Sequence, residues 1–406
     1  MNTELRTRVD TRPRRTAVIF VLSLAIAVLS AGLVYRALNT IRTSREGRSA
    51  TGSLETKLLP RTPAHLVALI DRQGAPVSFL VLAPAQSGGG TLMVLPASTR
   101  VDGKIAGPSG RLADVFGRGG LPEQTTAVGR YLGIDFASSF VQDSSGLASL
   151  FSPFAPFDVT LDAPVVDTDQ THSDRIIHDA GRASLSASVA AELLLARADA
   201  EPESMRLPRA EAIWNAVGSR VASQPVVTGG AGSAAGVLLP LLKGPTSVYR
   251  FPAVAVTDPT RNPSAVPLVE VDIADIRLKM AQILPGAVSV AASGIRVEIQ
   301  DPFANQALVR DTVVLLTFLG AYVVYVHTTT TPPMAQTTVQ YSRISTRQAA
   351  DFLVNALHTP EAQLSSAPVE SVDATVVLGT DLRDETLARI ATSSTTAATV
   401  AVSPKP

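Results

Sequence analysis

The sequence has no cysteine among its 406 residues. Disulfides, thiolate metal sites, iron–sulfur clusters and a cysteine nucleophile are therefore excluded. Its 35 basic and 35 acidic side chains cancel, so the chain lacks the basic field that nucleic-acid binding requires. We expect no nucleic-acid partner, and the chemistry of any site must come from oxygen and nitrogen groups.

Several catalytic and nucleotide-binding motifs are absent as well. The sequence has no G-x-S-x-G nucleophile elbow, and the glycines of the 229–236 loop have neither dinucleotide-fingerprint spacing nor a following Walker lysine. His172 and His178, with Asp174 and Asp179 nearby, are metal-ligand residue types. Their spacing does not place the two histidines on one helix face, so we predict loop histidines and no metal site.

One long apolar run stands near the start of the chain. Ala17–Tyr35 has 19 residues without a charge, and a helix rising about 1.5 Å per residue over that length spans roughly the 30 Å core of a bilayer. We predict a single-pass membrane anchor at 17–35, with residues 1–16 cytoplasmic and the bulk outside the cell membrane. The Ala25–Ala27 stretch leaves a cleaved signal peptide as the alternative.

After the anchor, the pattern indicates two folded modules. Residues 36–60 are polar and are predicted to form a stalk. Residues 61–245 combine short branched apolar runs with helix-spaced apolar residues, which is typical of an α/β domain. Its predicted strands are His65–Ile70, Val77–Ala83 and Thr91–Leu95, and its helical region is Ser184–Ser223.

The second module follows a Pro-rich connection at 246–293. Residues 294–382 predict the order β-α-β-β-α-β, and the Ser- and Thr-rich tail at 383–406 is predicted to be disordered. The predicted elements are strand Ile295–Gln300, helix Gln306–Gly320, strands Tyr322–His327 and Thr337–Tyr341, a helix after a capping box at Ser345 and Gln348, and strand Ala374–Leu378.

The stretch Leu95–Val101 (LPASTRV) resembles the strand end I-P-R-D-T-x-V of the LytR-CpsA-Psr family of cell-envelope glycopolymer ligases. Pro96, Thr99 and Val101 match that pattern. The likeness continues through 112–161 and through an A-G-x-x-x-L helix entry at 180–185. The segment 294–381 resembles the LytR C-terminal domain that follows in actinobacterial members of the family.

The resemblance implies a mixed sheet flanked by helices, enclosing an apolar tunnel for a polyprenyl-pyrophosphate glycopolymer that is passed to peptidoglycan. Arg197 falls on the second arginine of the family's R-x-R motif, Arg206 and Arg209 fit its R-x-x-R pair, and Arg100 lies beside the signature. These four arginines are the implied pyrophosphate-binding residues, since guanidinium forms a planar fork for phosphate oxygens. The alternative is that they are solvated or paired with neighbouring glutamates.

The sequence differs from the family pattern at the positions that carry the family's charged catalytic residues. Ala97 and Ser98 replace the signature arginine and aspartate, and no carboxylate stands at 76 or 77, where the family has a magnesium aspartate. Asp71 is close enough to substitute, although an acidic residue at a strand end commonly serves turn chemistry. Magnesium is implied only if the protein is active.

Two main hypotheses follow. The first is a non-catalytic envelope protein that binds a lipid-linked glycopolymer, peptidoglycan or a partner through the inherited scaffold. The alternative is an active phosphotransferase with relocated carboxylates, and a purely structural envelope scaffold is a third possibility. We favour the first, because losing the signature charges removes stabilisation worth several kcal/mol of a barrier.

Overall fold

The computed structural model describes residues 56–85, 88–107, 109–168, 173–198, 201–224, 230, 232–263, 266–291 and 294–385. The predicted anchor at 17–35, its cytoplasmic segment, most of the stalk, His172 and nearly all of the predicted tail lie outside these residues. Among the helices described, none is long and apolar enough to cross a membrane. Leu58–Ser365 and the chain from Val369 form one compact unit, while Lys57 and Ser366–Pro368 belong to another.

The strands are β1 His65–Ile70, β2 Pro76–Pro84, β3 Gly90–Pro96, β4 Ser138–Gln142, β5 Phe157–Leu161, β6 Val165–Thr168, β7 Asp174–His178, β8 Gly181–Leu185, β9 Thr246–Arg250, β10 Ala253–Ala255, β11 Val269–Val271, β12 Ile295–Asp301, β13 Ala321–Thr328, β14 Thr338–Tyr341, β15 Gln363–Leu364 and β16 Ala374–Val377. The helices are α1 Gly103–Ala106, α2 Phe116–Leu132, α3 Ser144–Phe151, α4 Ala187–Leu195, α5 Glu203–Ser223, α6 Ala234–Lys243, α7 Ile273–Ile283, α8 Gln306–Phe318 and α9 Arg347–Leu357.

The first sheet has the strand order β4-β1-β2-β3-β9. The central strand β2 is antiparallel to both of its neighbours, β1 and β3, while β4 runs parallel to β1 and β9 parallel to β3. The prediction of a mixed sheet is confirmed. On the β1–β4 edge, His65 Nδ1 lies 2.7 Å from Ser138 Oγ, and burial lowers the pKa of His65 below its ordinary value of 6.5.

Both faces of this sheet are covered, which explains why its three central strands are almost continuously apolar. Successive side chains point to opposite faces, so two separate cores form. Leu80, Leu82, Leu92 and Val94 belong to the core that α3 to α6 cover, and Phe79, Val81, Met93 and Leu95 belong to the core that α2 and α7 cover. In the first core, Trp214 of α5 packs edge-on against Phe151 of α3, with ring centroids 5.6 Å apart.

The second sheet has the order β13-β12-β16-β14-β15. Its chain order is the predicted β-α-β-β-α-β with the two-residue strand β15 added. Helices α8 and α9 pack their apolar side chains on one face of this sheet. The predicted capping box at Ser345 and Gln348 is wrong, because α9 begins at Arg347 and its N-cap residue Thr346 uses its hydroxyl to donate to the Arg343 carbonyl, 2.9 Å away.

Helix α7 lies in the segment predicted as a connection and belongs to two cores. Ile276 and Met280 pack into the core of the first sheet, whereas Leu278 and Ala281 pack into the core of the second. The same segment supplies β9, which completes the first sheet. The stretch from 246 to 293 therefore contains structure that both modules use, and the domain boundaries within it stay predictions.

Candidate functional site

A polar cavity of about 270 Å³ opens where the β1–β2 turn, β6, β7 and the end of α4 meet. Many of the residues in its wall carry charged side chains. They are distant in sequence, so no local sequence pattern predicts that they meet. The arginines that line it are Arg72, Arg111, Arg175 and Arg197, and the carboxylates are Asp71, Asp167 and Glu192. We call this cavity the arginine pocket.

Arg197 follows the last turn of α4, and β6 fixes its backbone. Its N–H donates to Asp167 Oδ1 at 3.2 Å, and its carbonyl accepts from the Thr168 N–H at 3.1 Å. Within the described part of the chain, its guanidinium has no ion pair. Burial lowers the pKa of Arg197, as do the nearby Arg206 and Arg111, and Glu203 and Asp71 only partly offset this. An anion in the pocket would therefore be stabilised.

The other arginines of the pocket have carboxylate partners. Glu192 on α4 accepts from Arg72 at 3.0 Å and lies 3.8 Å from Arg175, so one carboxylate serves two guanidinium groups. Arg111 donates to Asp114 Oδ1 from Nε at 2.8 Å and from Nη2 at 2.5 Å. These ion pairs fix the side chains at the rim of the pocket. The wall still contains more arginines than carboxylates.

Asp71 lines the arginine pocket and also closes the turn between β1 and β2. Its Oδ1 accepts from the backbone N–H groups of Gln73 and Ala75, each at 2.9 Å. This is the turn chemistry that a strand-end aspartate commonly provides. A catalytic role for Asp71 stays a prediction, and the observed hydrogen bonds account for an aspartate at this position without one.

The two residues that replace the signature charges are buried. Ala97 packs in the core beneath α2, and Ser98 is 2% exposed. The Ser98 hydroxyl donates to Glu203 Oε1 at 2.6 Å, and the other oxygen of Glu203 accepts from Arg206 Nε at 2.9 Å. A carboxylate from α5 therefore lies one hydrogen bond away from the position where the family carries its aspartate.

The four arginines predicted to bind pyrophosphate do not meet in one place. Only Arg197 lines the arginine pocket. Arg206 is buried and paired with Glu203, although its charge affects the pKa of Arg197. Arg209 and Arg100 form ion pairs with other carboxylates.

Arg209 donates twice to the Glu201 carboxylate and once to the Ala196 carbonyl, the last at 2.9 Å. Arg100 donates from Nη1 to Glu270 Oε1 at 2.7 Å, on the side of β11. For these two residues, the alternative of an internal ion pair describes the geometry better than a shared anion site. Pyrophosphate binding by Arg197 stays a prediction.

Sequence reasoning missed Arg72, Arg111, Arg175, Asp167 and Glu192. They come from five different parts of the chain and meet only through the fold. The one local signal was the spacing of Arg111 and Asp114, three residues apart, which favours an ion pair.

His178 lies at the end of β7 with Nδ1 2.8 Å from the Asp179 carbonyl. Among the described residues no three acidic or histidine side chains form a metal-binding group.

No protein-family model matches this sequence, and no curated protein matches it either. Solved structures do resemble slightly more than half of the chain. The fold is similar to that of LytR-CpsA-Psr proteins. This is the family that the sequence resembles at Leu95–Val101.

Three such structures illustrate the likeness. The LytR-Csp2A-Psr enzyme from Actinomyces oris is 18% identical, with a TM-score of 0.39, and the match covers 55% of this chain and 96% of that one. Bacillus subtilis TagV is 15% identical, with a TM-score of 0.40, over 54% and 95%. The LytR-CPS2A-psr protein YwtF (TagT), solved with octaprenyl pyrophosphate lipid, is 12% identical, with a TM-score of 0.40, over 57% and 95%. At these identities and TM-scores the likeness says nothing about what this chain binds.

Proposed function

We propose that this chain is a LytR-CpsA-Psr-type envelope protein that binds a lipid-linked glycopolymer through its pyrophosphate and does not transfer it. The observation that carries the proposal is Arg197, a partly buried guanidinium without an ion pair in the described part of the chain, at the wall of the arginine pocket. A partly buried cation beside other cations is costly unless an anion neutralises it. Pyrophosphate supplies that charge and accepts bidentate hydrogen bonds from guanidinium.

The size of the pocket fits a headgroup and not a polymer. Its volume of about 270 Å³ holds a small polar group, so the lipid and the sugar chain of such a ligand would lie outside it. We further propose that the uncharged run Ala17–Tyr35 anchors the protein, which would keep the pocket near the membrane that supplies the lipid. The length and apolar character of that run support this part of the proposal.

The burial of Ala97 and Ser98 supports a protein that binds without catalysing. Neither side chain offers a charge, and the Ser98 hydroxyl is engaged with Glu203. The transfer reaction that the resemblance implies needs cations on the leaving pyrophosphate and a base near the acceptor hydroxyl. Those groups are missing at the signature position itself.

A second candidate function is an active phosphotransferase, and one observation favours it. Glu203 brings a carboxylate to Ser98, so a charge lost at position 98 has a substitute from α5. Magnesium usually takes one or two carboxylates together with phosphate oxygens. Asp71 and Asp167 are the pocket carboxylates that would hold it in such an enzyme.

The test uses the full chain in detergent and a polyprenyl-pyrophosphate analogue. Arg197→Gln is expected to weaken binding about ten- to a hundredfold, the loss typical of a charge-assisted hydrogen bond. Arg250→Gln is the matched control, because Arg250 forms an exposed ion pair with Glu211 away from the pocket. Unchanged affinity in Arg197→Gln would show that the pocket is not the pyrophosphate site.

The same preparation decides between binding and catalysis. With magnesium and a peptidoglycan acceptor, we expect the wild-type chain to release no product. Turnover by the wild-type chain would establish the phosphotransferase. Its loss in Asp71→Ala, or in Glu203→Gln shown by its melting curve to be folded at the assay temperature, would identify the relocated carboxylate.

A further inference from the structure

A second cavity, of about 610 Å³, lies where the end of α2 approaches α7 and the start of β13. It shares no lining residue with the arginine pocket. Its charged wall residues are the cations Arg130 and Arg277 and one carboxylate, Asp135, so positive charge is in excess. The rest of the wall includes the aromatic rings of Phe136 and Tyr322 and the hydroxyls of Thr125, Thr126 and Ser289. Two modules of the chain therefore contribute to one polar cavity, which we call the interface cavity.

Arg277 is the charged centre of this cavity. Its Nη1 donates to the carbonyl of Leu132, the last residue of α2, at 3.0 Å. Burial lowers the pKa of Arg277, and the described residues offer it no ion pair. The next residue, Gly133, has φ of 69°, and a Cβ there would come within 1.5 Å of Arg277 Nη1. Glycine at 133 is thus what lets the guanidinium reach the helix end.

Capping the C-terminus of α2 explains only part of this arrangement. A cation near the last carbonyls of a helix is favourable, but guanidinium carries five N–H donors and the cap uses one. Arg130 adds a second exposed positive charge to the wall. A planar oxyanion that accepts from the remaining Arg277 donors would complete the site.

The uncharged part of the wall indicates what carries that oxyanion. Tyr322 and Phe136 line the same cavity as Arg277. A ligand ring that is apolar on its face and polar at its edge fits this wall. Its face can pack against an aromatic side chain, and its edge can form hydrogen bonds with the hydroxyls. We propose that the interface cavity binds an acidic saccharide, a sugar ring bearing a carboxylate. The proposal stands independently of pyrophosphate binding, since the two sites have separate residues.

The test compares N-acetylmuramic acid with N-acetylglucosamine, two sugars that differ by a carboxylate-bearing group. Binding to the full chain in detergent is measured by saturation-transfer NMR titration. We expect the acidic sugar to bind at least tenfold more tightly than the neutral one. Arg277→Gln should remove most of that difference, and Thr126→Trp, which fills the cavity from the exposed face of α2, should weaken both sugars.

Arg197→Gln is the control, because it alters the arginine pocket alone and should leave sugar binding unchanged. Equal affinity for the two sugars, or wild-type affinity in both Arg277→Gln and Thr126→Trp, would overturn the proposal and leave Arg277 as a helix cap. Loss of sugar binding in Arg197→Gln would assign the sugar to the other pocket. Complete displacement by equimolar inorganic phosphate would show that the site selects an oxyanion and not a saccharide.

Discussion

Replacing Glu203 by Gln isolates the energetic role of the buried ion pair beneath the arginine pocket. The side chains of Arg206 and Glu203 are only 4% and 10% exposed, and Arg206 Nη2 lies 2.7 Å from Glu203 Oε2. Glutamine keeps the shape and an acceptor oxygen for Ser98 but removes the counter-charge. A buried guanidinium without its partner typically costs about 3–5 kcal/mol. Against a total stability of about 5–15 kcal/mol, this is a large loss.

Urea unfolding followed by tryptophan fluorescence measures this loss directly. Trp214 is the only tryptophan of the chain, and it lies fully buried on the same helix, α5. We expect a lower midpoint with an unchanged slope, and a melting temperature reduced by on the order of 10 °C. Glu211→Gln is the matched control on α5, because its ion pair with Arg250 is exposed and should contribute about 0–1 kcal/mol.

A double variant tests whether the unpaired charge of Arg206 causes the loss of stability. Adding Arg206→Met to Glu203→Gln removes the orphaned charge, so part of the lost stability should return. Equal and small losses for Glu203→Gln and Glu211→Gln would refute the reasoning. They would show that Arg206 reaches solvent once its partner is neutral.

Three further predictions concern topology, pH and modularity. A reporter active only outside the cytoplasm should give signal when fused after Pro406, and deleting Ala17–Tyr35 should release the protein from membranes; a cytoplasm-only signal would contradict the predicted orientation. Because burial lowers the pKa of His65, the unfolded chain binds its proton more readily, so stability should fall as pH drops below about 6.5 and His65→Gln should flatten that dependence in urea titrations. A fragment of residues 273–385 should melt cooperatively at a higher temperature than one of 294–385, because only the longer fragment retains α7; equal melting temperatures measured by circular dichroism would contradict this.

The three central strands of the first sheet and four of the five strands of the second could be predicted because their patterns are local. Thr91–Leu95 was expected as a strand and β3 spans Gly90–Pro96, and the helix expected at Gln306–Gly320 is observed over Gln306–Phe318. Continuous apolar runs in short segments leave few alternatives to a strand buried on both faces.

The candidate site was predictable only in part because its residues are distant in sequence. Arg197 was found through the family resemblance, and Asp71 through its position at a strand end. Arg209 forms an ion pair with Glu201, eight residues away, which no sequence pattern indicated, and its role in pyrophosphate binding stays a prediction. No pattern in the sequence relates Arg175 on β7 to Glu192 on α4, because their meeting depends on how the two elements pack.

Helix α7 has a thermodynamic consequence that reaches beyond its two cores. Because one helix contributes Ile276 to the first core and Leu278 to the second, neither core can lose it without disturbing the other. Unfolding should then appear as one calorimetric transition instead of two. A ligand held by the arginine pocket would also protect amide hydrogens of the second sheet from exchange, since binding energy gained in one half is shared with the half that never touches the ligand.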